Sequence, residues 1–378
     1  ASLLAVDQFI FSRSPKYHRP RGPFCFTGAC AQCLMRVDGV PNVPTCRVPA
    51  REGLRLERQN ALLDARVDLL RANDFVFRDW FNHHEFLAGV PIAETVLLKV
   101  ARQLAGLGTL PERPAPQRAP ARYESHEIVI VGAGVAGRAA SAALGTTPHL
   151  VLERDLRGGE RVRGGAEVVG LFRDDTTPFL AVVENESLSL ISFKRLLLAN
   201  GGHPSLPTFP NNDLPGVISG RAVRMLVEDY GVLPGKRIAC VGPEADELVA
   251  VLTRVGADAF VVKAPVKRAR GLRRVSAIET DASSESCDVI ALCEPFTPAF
   301  ELARAAGVEI SWESKTSCFV PTADENGQTN VPGVFVAGEV RGPVSRETAE
   351  AQGRNVAARL VAPHPSPLPA GEGVRSAP

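Results

Sequence analysis

The sequence predicts a chain of mixed α+β and α/β class that contains more than one domain. Four cysteines lie close together near the N-terminus, between positions 25 and 46. A glycine-rich turn follows an apolar strand in "EIVIVGAGVAG", and the Pro-, Arg- and Ala-rich segment "LPERPAPQRAPARYESH" precedes it. Because the chain has 378 residues, it is long enough for two or three domains with separate cores.

Composition excludes several classes of function. A hydrophobic content of 45% and a net charge of +1 are typical of an ordinary soluble protein and do not indicate nucleic-acid binding. No apolar run is long enough to predict a transmembrane segment, and no basic region precedes the N-terminal apolar residues as in a secretory signal. Four further cysteines lack metal-ligand spacing, which indicates reduced thiols in the cytoplasm: Cys240, Cys287, Cys293 and Cys318.

The clustered cysteines have the spacing Cys25-x4-Cys30-x2-Cys33-x12-Cys46. The first three match the plant-type ferredoxin pattern, in which the fourth ligand lies farther along the chain. The intervening residues are small, so backbone N–H groups can approach bridging sulfides. A four-cysteine zinc site usually has two C-x2-C pairs, and only one is present. The spacing therefore favours a 2Fe–2S cluster bound by these four thiolates, with a zinc site or unligated thiols as alternatives.

The glycine-rich turn is typical of a dinucleotide-binding fold. Gly132 permits the tight turn, Gly134 allows the pyrophosphate to approach the backbone, and Gly137 allows the helix to pack on the strand. Glu153 ends the next strand, where a carboxylate accepts hydrogen bonds from a ribose. An unoccupied structural turn is the alternative. The predicted cofactor-binding residues here are Gly132, Gly134, Val135, Ala136, Gly137, Glu153 and Arg154.

Later segments favour FAD as the bound dinucleotide. "ERDLRGG" places two glycines after Glu153, as in many flavoproteins. "GVFVAGE" resembles a flavin-side closing motif that usually ends in Asp but ends here in Glu339. We therefore add Gly338 and Glu339 to the predicted FAD contacts. No residue is assigned a catalytic role.

A second dinucleotide turn is altered. In "CVGPEADE", Gly242 is retained, but Glu244 and Glu247 stand where the second and third glycines belong. Two carboxylates repel a pyrophosphate, and a side chain at position 244 blocks its approach to the backbone. NAD(P) binding at this turn stays open. Lys263 either accepts a 2′-phosphate or is an ordinary exposed lysine.

Two long segments resemble one family. "SPKYHRPRGPFCFTGACAQCLMRVDGVPNVPTCRVPAREG" and "LPGVISGRAVRMLVEDYGVLPGKRIACVG" are similar to sarcosine oxidase alpha subunit-like and hydrogen cyanide synthase-like flavoproteins, a group with opine oxidase and proline dehydrogenase subunits. The resemblance covers residues 1 to about 362. It implies a truncated β-grasp, ferredoxin-like 2Fe–2S domain followed by a Rossmann-like flavoprotein with two dinucleotide-binding domains.

The resemblance also implies domain bounds and a function. The expected parts are a 2Fe–2S domain (1–60), a helical connector and Pro-rich linker (61–122), a split FAD domain (123–204 and 296–362), an NAD(P)-like domain (205–295) and a disordered tail (363–378). The implied function is that of an electron-transfer subunit in an amine or amino-acid oxidase or dehydrogenase, which acts on CH–NH donors. A partner flavoprotein subunit would oxidise the substrate. An NAD(P)H-dependent ferredoxin-type reductase and a non-enzymatic assembly subunit remain alternatives.

Overall fold

The computed structural model describes residues 1–14, 18–61, 63–68, 120–155, 161–173, 177–185 and 187–362. Most of the predicted connector and linker, the glycine pair Gly158–Gly159 and the predicted tail lie outside these residues. The chain divides into two compact units. The first unit comprises Ala1–Pro116 and Pro204–Pro295, and the second comprises Gln117–His203 and Phe296–Pro378.

The N-terminal part of the first unit is made of short strands. The elements are helix α1 (Ser2–Ala5), strands β1 (Ser12–Arg13), β2 (Pro20–Arg21), β3 (Leu34–Val37) and β4 (Val40–Pro44), a 3-10 helix (Thr45–Arg47), and strands β5 (Leu56–Glu57), β6 (Leu63–Asp64) and β7 (Val67–Asp68). Three of these strands form a sheet of order β4-β3-β5, and the turn Asp38–Gly39 connects β3 to β4 with positive φ at both residues.

The second unit begins with a strand whose last four residues are buried, followed by the first glycine turn and a helix. Its elements are β8 (Arg122–Val131), α2 (Val135–Leu144), β9 (Leu150–Glu153), β10 (Val162–Gly164), β11 (Glu167–Arg173), β12 (Pro178–Glu184), β13 (Ser187–Leu198) and β14 (Gly202–His203). The strands form a sheet of order β10-β9-β8-β13-β12-β11. Its β9-β8-β13 part is parallel, so the carboxyl ends of these strands meet at one edge.

The chain then returns to the first unit. Its elements there are β15 (Val217–Ser219), α3 (Gly220–Tyr230), β16 (Arg237–Val241), α4 (Ala245–Arg254), β17 (Asp258–Val262), β18 (Val266–Arg270), β19 (Ala277–Thr280), β20 (Ser284–Ser286) and β21 (Val289–Leu292). A parallel sheet has the order β15-β21-β16-β17, and β18, β19 and β20 form an antiparallel meander.

The last part of the chain completes the second unit. Its elements are β22 (Thr297–Pro298), α5 (Glu301–Ala305), β23 (Ile310–Glu313), β24 (Cys318–Pro321), β25 (Val334–Val336), a 3-10 helix (Gly338–Arg341) and α6 (Arg346–Val361). Strand β25 joins the sheet parallel to β13. Among the described residues, no helix is long and apolar enough to cross a membrane.

The first unit has a core shared by its two chain segments. Phe9 and Phe26, which flank the start of the cysteine loop, pack in one apolar cluster with Ile218, Leu226 and Ile238. A second cluster places Phe24 and Cys25 with residues of β16, β18, β19 and β21. Burial of these side chains stabilises the cysteine segment, at about 1.5–3 kcal/mol for each fully buried large apolar residue. The N-terminal segment and residues 204–295 therefore pack as one unit.

Candidate cofactor sites

The four clustered cysteines come from one loop and one short helix. Cys25, Cys30 and Cys33 lie between β2 and β3, and Cys46 lies in the 3-10 helix that follows β4. The Cys25 and Cys33 side chains are buried, whereas Cys30 and Cys46 are partly exposed. The Thr45 hydroxyl donates to the Cys33 carbonyl oxygen at 2.7 Å, which connects the short helix to the loop.

The four thiols contact one another as one group. A hydrogen bond from Cys30 is the largest cause of a strongly lowered pKa at Cys25, and the same contact raises the pKa of Cys30. A hydrogen bond from Cys46 lowers the pKa of Cys33 to about 7. The pKa of Cys46 is raised by contact with Cys25 and then with Cys33. The fold thus brings together the four cysteines that the sequence spacing singles out.

The backbone of the cysteine loop has an unusual conformation. Phe26, Gly28 and Ala31 all have positive φ, at +56°, +82° and +52°. For residues other than glycine this conformation costs about 1–2 kcal/mol, and such strain concentrates at functional sites. The backbone N–H of Thr27 donates to Cys25 Sγ at 3.4 Å. The loop therefore directs at least one backbone donor toward a predicted ligand sulfur, and hydrogen bonds of this kind tune the reduction potential of iron–sulfur clusters.

The donor set fits a 2Fe–2S cluster. Such a cluster takes four cysteine thiolates, two on each iron, and the four thiols lie in mutual contact. The sequence spacing has three close cysteines and one farther along the chain, which favours the cluster over a zinc site with two C-x2-C pairs.

The first glycine turn lies between β8 and α2 in the second unit. Gly132 has φ of +99°, and a Cβ atom there would lie 2.3 Å from the Ala199 carbonyl oxygen. A Cβ on Gly137 would lie 1.9 Å from the Gly132 carbonyl oxygen. At Gly134, in contrast, a Cβ would have no atom within 4 Å. The first and third glycines are therefore required by packing, whereas the second faces open space that a pyrophosphate can occupy.

Glu153 connects the turn to the end of β9. Its Oε2 accepts a hydrogen bond from the Ala133 N–H at 2.6 Å, and its Oε1 accepts from the Asp155 N–H at 2.8 Å. These bonds fix the carboxylate beside the turn, where the sequence predicts a ribose contact. Arg154 is partly exposed and directly follows the same strand.

The predicted closing motif lies against the first turn of α2. Gly338 has φ of +78°, and a Cβ there would lie 2.9 Å from Ala136 Cβ. The Gly338 N–H donates to Gln352 Oε1 at 2.8 Å. Val135 and Ala136 begin α2, and Glu339 follows Gly338 in the 3-10 helix. The fold thus places the predicted residues of both motifs around one end of α2, although their roles as FAD contacts remain predictions.

Asn200 is a candidate contact to which sequence reasoning gave no role. A Cβ on Gly132 would lie 3.1 Å from Asn200 Cα, so this residue adjoins the glycine turn. Its Nδ2 donates to the Ala299 carbonyl oxygen at 2.7 Å. Its Oδ1 is buried and has no hydrogen-bond partner among the described residues. Such an acceptor usually has a donor nearby, and a bound ligand or a water molecule can supply one. Its sequence context is the segment "ANGG", which follows β13.

The second turn has the backbone of a dinucleotide site but different side chains. Gly242 has φ of +114°, and a Cβ there would lie 2.6 Å from the Cys293 carbonyl oxygen. Glu244 precedes α4, and its carboxylate accepts from Arg221 Nη2 at 3.1 Å and from Arg221 Nε at 3.4 Å. Burial, followed by the charge of Glu244, raises the pKa of nearby Glu294. Glu247 and Lys263 are exposed. The negative charge of Glu244 and Glu247 opposes the approach of a pyrophosphate, and NAD(P) binding at this turn stays an open prediction.

The remaining four cysteines are buried free thiols, with at most 5% of each residue exposed: Cys240, Cys287, Cys293 and Cys318. The thiols of Cys240 and Cys293 are in contact, and this hydrogen bond is the largest cause of a raised pKa at Cys293. Sequence spacing did not indicate this contact, because the two residues lie on neighbouring parts of the parallel sheet and are 53 positions apart.

Comparisons with known proteins concern the N-terminal segment and the chain as a whole. Residues 1–61 match the family described as "2Fe-2S iron-sulfur cluster binding domain". The alpha subunit of sarcosine oxidase from Rhizobium meliloti (strain 1021) is 24% identical over 403 residues, covering 86% of this chain and 41% of the relative. One opine oxidase chain from Agrobacterium tumefaciens (strain Ach5) is 35% identical over 65 residues, covering 17% of this chain and 13% of the relative.

A solved structure has the same fold over nearly the whole chain. The L-proline dehydrogenase from P. horikoshii has a TM-score of 0.73 at 20% identity, covering 95% of this chain and 69% of the other. The predicted fold class and the resemblance to sarcosine oxidase alpha subunits are confirmed. The similarity also supports the two predicted cofactors, a 2Fe–2S cluster and FAD. The chain spans about two fifths of the length of the sarcosine oxidase chains that it matches.

Proposed function

We propose that this chain is the electron-transfer subunit of an FAD- and 2Fe–2S-dependent oxidoreductase that acts on CH–NH donors such as amines or amino acids. The observation that carries the proposal is the gathering of Cys25, Cys30, Cys33 and Cys46 into one contacting group in a chain that also has an open glycine turn at Gly134. A chain with both features can hold a two-electron and a one-electron cofactor.

The residues of the chain would hold these cofactors, which supply the redox chemistry: FAD exchanges electron pairs and the cluster exchanges single electrons. The N-terminal end of α2 and the backbone at Gly134 would bind the pyrophosphate. Glu153, held by two backbone N–H groups, would accept hydrogen bonds from the ribose. The four cysteine thiolates would bind the irons.

The proposed partner is a separate flavoprotein subunit that oxidises the substrate. The names of the sarcosine oxidase and opine oxidase relatives designate them as subunits, which implies that those proteins are assemblies of several chains. In this chain, no described cluster of residues has been assigned to substrate chemistry. We further propose a cytoplasmic location, which is supported by free thiols at all eight cysteines.

The arrangement at the second turn disfavours the alternative of an NAD(P)H-dependent reductase. A reductase needs a working second dinucleotide turn, and here the Glu244 carboxylate is paired with Arg221 at the start of α4. The other alternative is a non-enzymatic assembly role. A protein in that role would keep the fold without its cofactors, so cofactor analysis distinguishes it from the proposed function.

The test is cofactor analysis of anaerobically purified protein. We expect about two irons and two acid-labile sulfides per chain, one FAD, and an absorption spectrum that bleaches on addition of dithionite. The reduced cluster should also give an electron paramagnetic resonance signal. One zinc without sulfide would contradict the cluster assignment. A folded protein that binds neither cluster nor flavin after reconstitution would support the assembly role.

A further inference from the structure

The meander of the first unit carries a concentration of positive charge. Residues 263–280, here called the basic hairpin, include β18 and β19 and the turn that connects them. This segment has six cationic residues and one carboxylate, although the whole chain has a net charge of only +1. The cations are Lys263, Lys267, Arg268, Arg270, Arg273 and Arg274, and the carboxylate is Glu279.

Most of this charge faces solvent. The side chains of Lys267, Arg268 and Arg270 are 59%, 44% and 50% exposed, whereas that of Glu279 is only 13% exposed. Arg268 Nε and Arg270 Nε donate to the same Glu279 oxygen at 2.8 Å and 2.6 Å. One carboxylate therefore orients several cations without neutralising them.

The remaining cations lie beyond the two ends of β18, Lys263 before the strand and Arg273 in the turn that follows it. Lys263 and Arg273 are exposed, and neither makes an ion pair with a described residue. Leu272, at the turn, is 69% exposed. The basic hairpin therefore presents cations around an exposed apolar side chain, which is a composition suited to a protein partner rather than to solvent alone.

The opposite face of the basic hairpin packs toward the cysteine loop. Ala269, Val275 and Ile278 are buried in the same apolar cluster as Phe24 and Cys25. At one end of the hairpin, the Arg274 guanidinium lies 4.1 Å from the centroid of the Phe9 ring and pairs with Asp7 at 2.6 Å. The hairpin is thus a basic surface whose inner side belongs to the core around a predicted cluster ligand.

We propose that the basic hairpin is the docking surface for a small, acidic, one-electron carrier protein that accepts electrons from the cluster. Complexes of redox proteins are small and short-lived, and complementary charge speeds and orients their encounter. This inference rests on the proposed function. The reduced cluster would give one electron to the oxidised centre of the carrier, with no bond made or broken. Two successive encounters would remove the electron pair taken from one substrate molecule.

The sharpest variant removes three charges and, of the described ion pairs of the hairpin, breaks only the 3.7 Å contact between Lys267 and Glu279. Lys263→Gln, Lys267→Gln and Arg273→Gln together leave the Arg268 and Arg270 contacts to Glu279 intact, as well as the Arg274–Asp7 pair. The matched control is Lys315→Gln, Arg346→Gln and Arg359→Gln, which removes the same charge from exposed positions in the second unit.

The experiment measures reoxidation of the dithionite-reduced holoprotein by stopped-flow spectroscopy. The probe is an acidic blue-copper protein, and a basic c-type cytochrome and a small neutral quinone serve as comparison acceptors. At low ionic strength we expect the hairpin variant to react about tenfold more slowly than the parent with the acidic probe, because electrostatic steering changes association rates by about 10–10³-fold. Added salt should slow the parent and reduce this difference. The control variant should stay within about twofold of the parent.

The comparison acceptors separate the possible failures. The parent and both variants should reduce the quinone at equal rates, and the hairpin variant should lose no rate with the basic cytochrome. The docking proposal would be overturned if the hairpin and control variants lost equal rate with the acidic probe, or if the rate of the parent did not depend on salt. Either result would leave the proposed function intact. Absence of iron and sulfide would instead refute the proposed function. Tight binding of an oligonucleotide at physiological salt, lost only in the hairpin variant, would reassign the surface to nucleic acid.

Discussion

The two glycine turns of this chain begin with the same backbone conformation, but the surroundings of their second motif position are opposite. Each follows a strand with buried apolar residues, begins with a glycine of positive φ (Gly132 and Gly242) and leads into a ten-residue helix. At the next motif position, Gly134 faces open space, whereas Glu244 is paired with Arg221. The comparison teaches that a glycine at the first position is compatible with the strand–turn–helix fold at both sites, and it predicts that the second position governs the approach of a pyrophosphate.

The third motif position differs for a packing reason. A Cβ on Gly137 would lie 1.9 Å from the Gly132 carbonyl oxygen, so α2 lies directly against its turn. Glu247, at the equivalent position of α4, is exposed and its side chain is accommodated. Where no dinucleotide binds, a close helix–turn contact is not needed, and a larger residue can be tolerated at this position.

The largest effect is expected for Gly134→Val. The branched side chain would occupy the pyrophosphate position but would contact nothing in the protein itself. FAD affinity should fall by about 3 kcal/mol, or roughly 100-fold, while the melting temperature of the flavin-free protein changes little. FAD content after gel filtration tests the expected loss of affinity. Thermal unfolding of the flavin-free protein tests whether its melting temperature is unchanged.

Gly137→Ala is the comparison variant for this prediction. Its Cβ would collide with the Gly132 carbonyl oxygen, so we expect unfolding or a large loss of stability in the flavin-free protein. If Gly134→Val destabilised the flavin-free protein as much as Gly137→Ala, the assignment of Gly134 to the ligand would be wrong.

The next effect extends the comparison to the two units. Cys33→Ser removes a predicted ligand that packs with Phe11 and Met35 in the first unit, whereas the Gly132 turn lies in the second. Iron and sulfide should fall from about two of each per chain to nearly none, because loops of this kind depend on metal ligation. FAD content should stay near that of the parent protein.

Cys287→Ser provides a matched control for the loss of a buried thiol. Cys287 is also buried in the first unit but lies outside the predicted ligand set. This variant should keep its iron and sulfide. If Cys33→Ser abolished both cofactors in a protein that still folded, the two sites would have to be treated as one structural module.

How much the sequence could predict depended on whether the signal was local. The cysteine spacing and the glycine turns are local patterns, and the structure gathers those residues as the patterns indicate. The packing of Phe9 and Phe26 against Ile218 is not local, and no spacing or periodicity connects such distant positions. The Arg221–Glu244 pair also depends on tertiary structure, because the two residues lie on adjacent helical segments 23 positions apart.

A smaller effect is expected when nicotinamide nucleotides are added to the parent protein. Because Glu244 and Glu247 bring negative charge to the second turn, NADH should bind weakly and should reduce the flavin slowly or not at all. Anaerobic stopped-flow measurements at increasing NADH and NADPH concentrations test this. Rapid, saturable reduction at micromolar concentrations would establish the reductase alternative.

The smallest expected effect is a partial gain of nucleotide binding in Glu244→Gly. This substitution removes a negative charge and opens the backbone at the start of α4, so NADH affinity should rise by about tenfold, equivalent to about 1.4 kcal/mol. The Arg221–Glu244 pair is about one-third exposed, so its loss should cost less than about 1 kcal/mol of folding stability. Isothermal titration calorimetry with NADH measures the gain.

The control for this gain is Glu247→Gln, which removes the same charge from an exposed position without opening the turn. It should change NADH affinity by less than about threefold, because solvent screens an exposed charge. An equal gain in both variants would show that charge alone excludes the nucleotide. No gain in either would mean that the second turn has lost more of its binding surface than the glycine positions reveal.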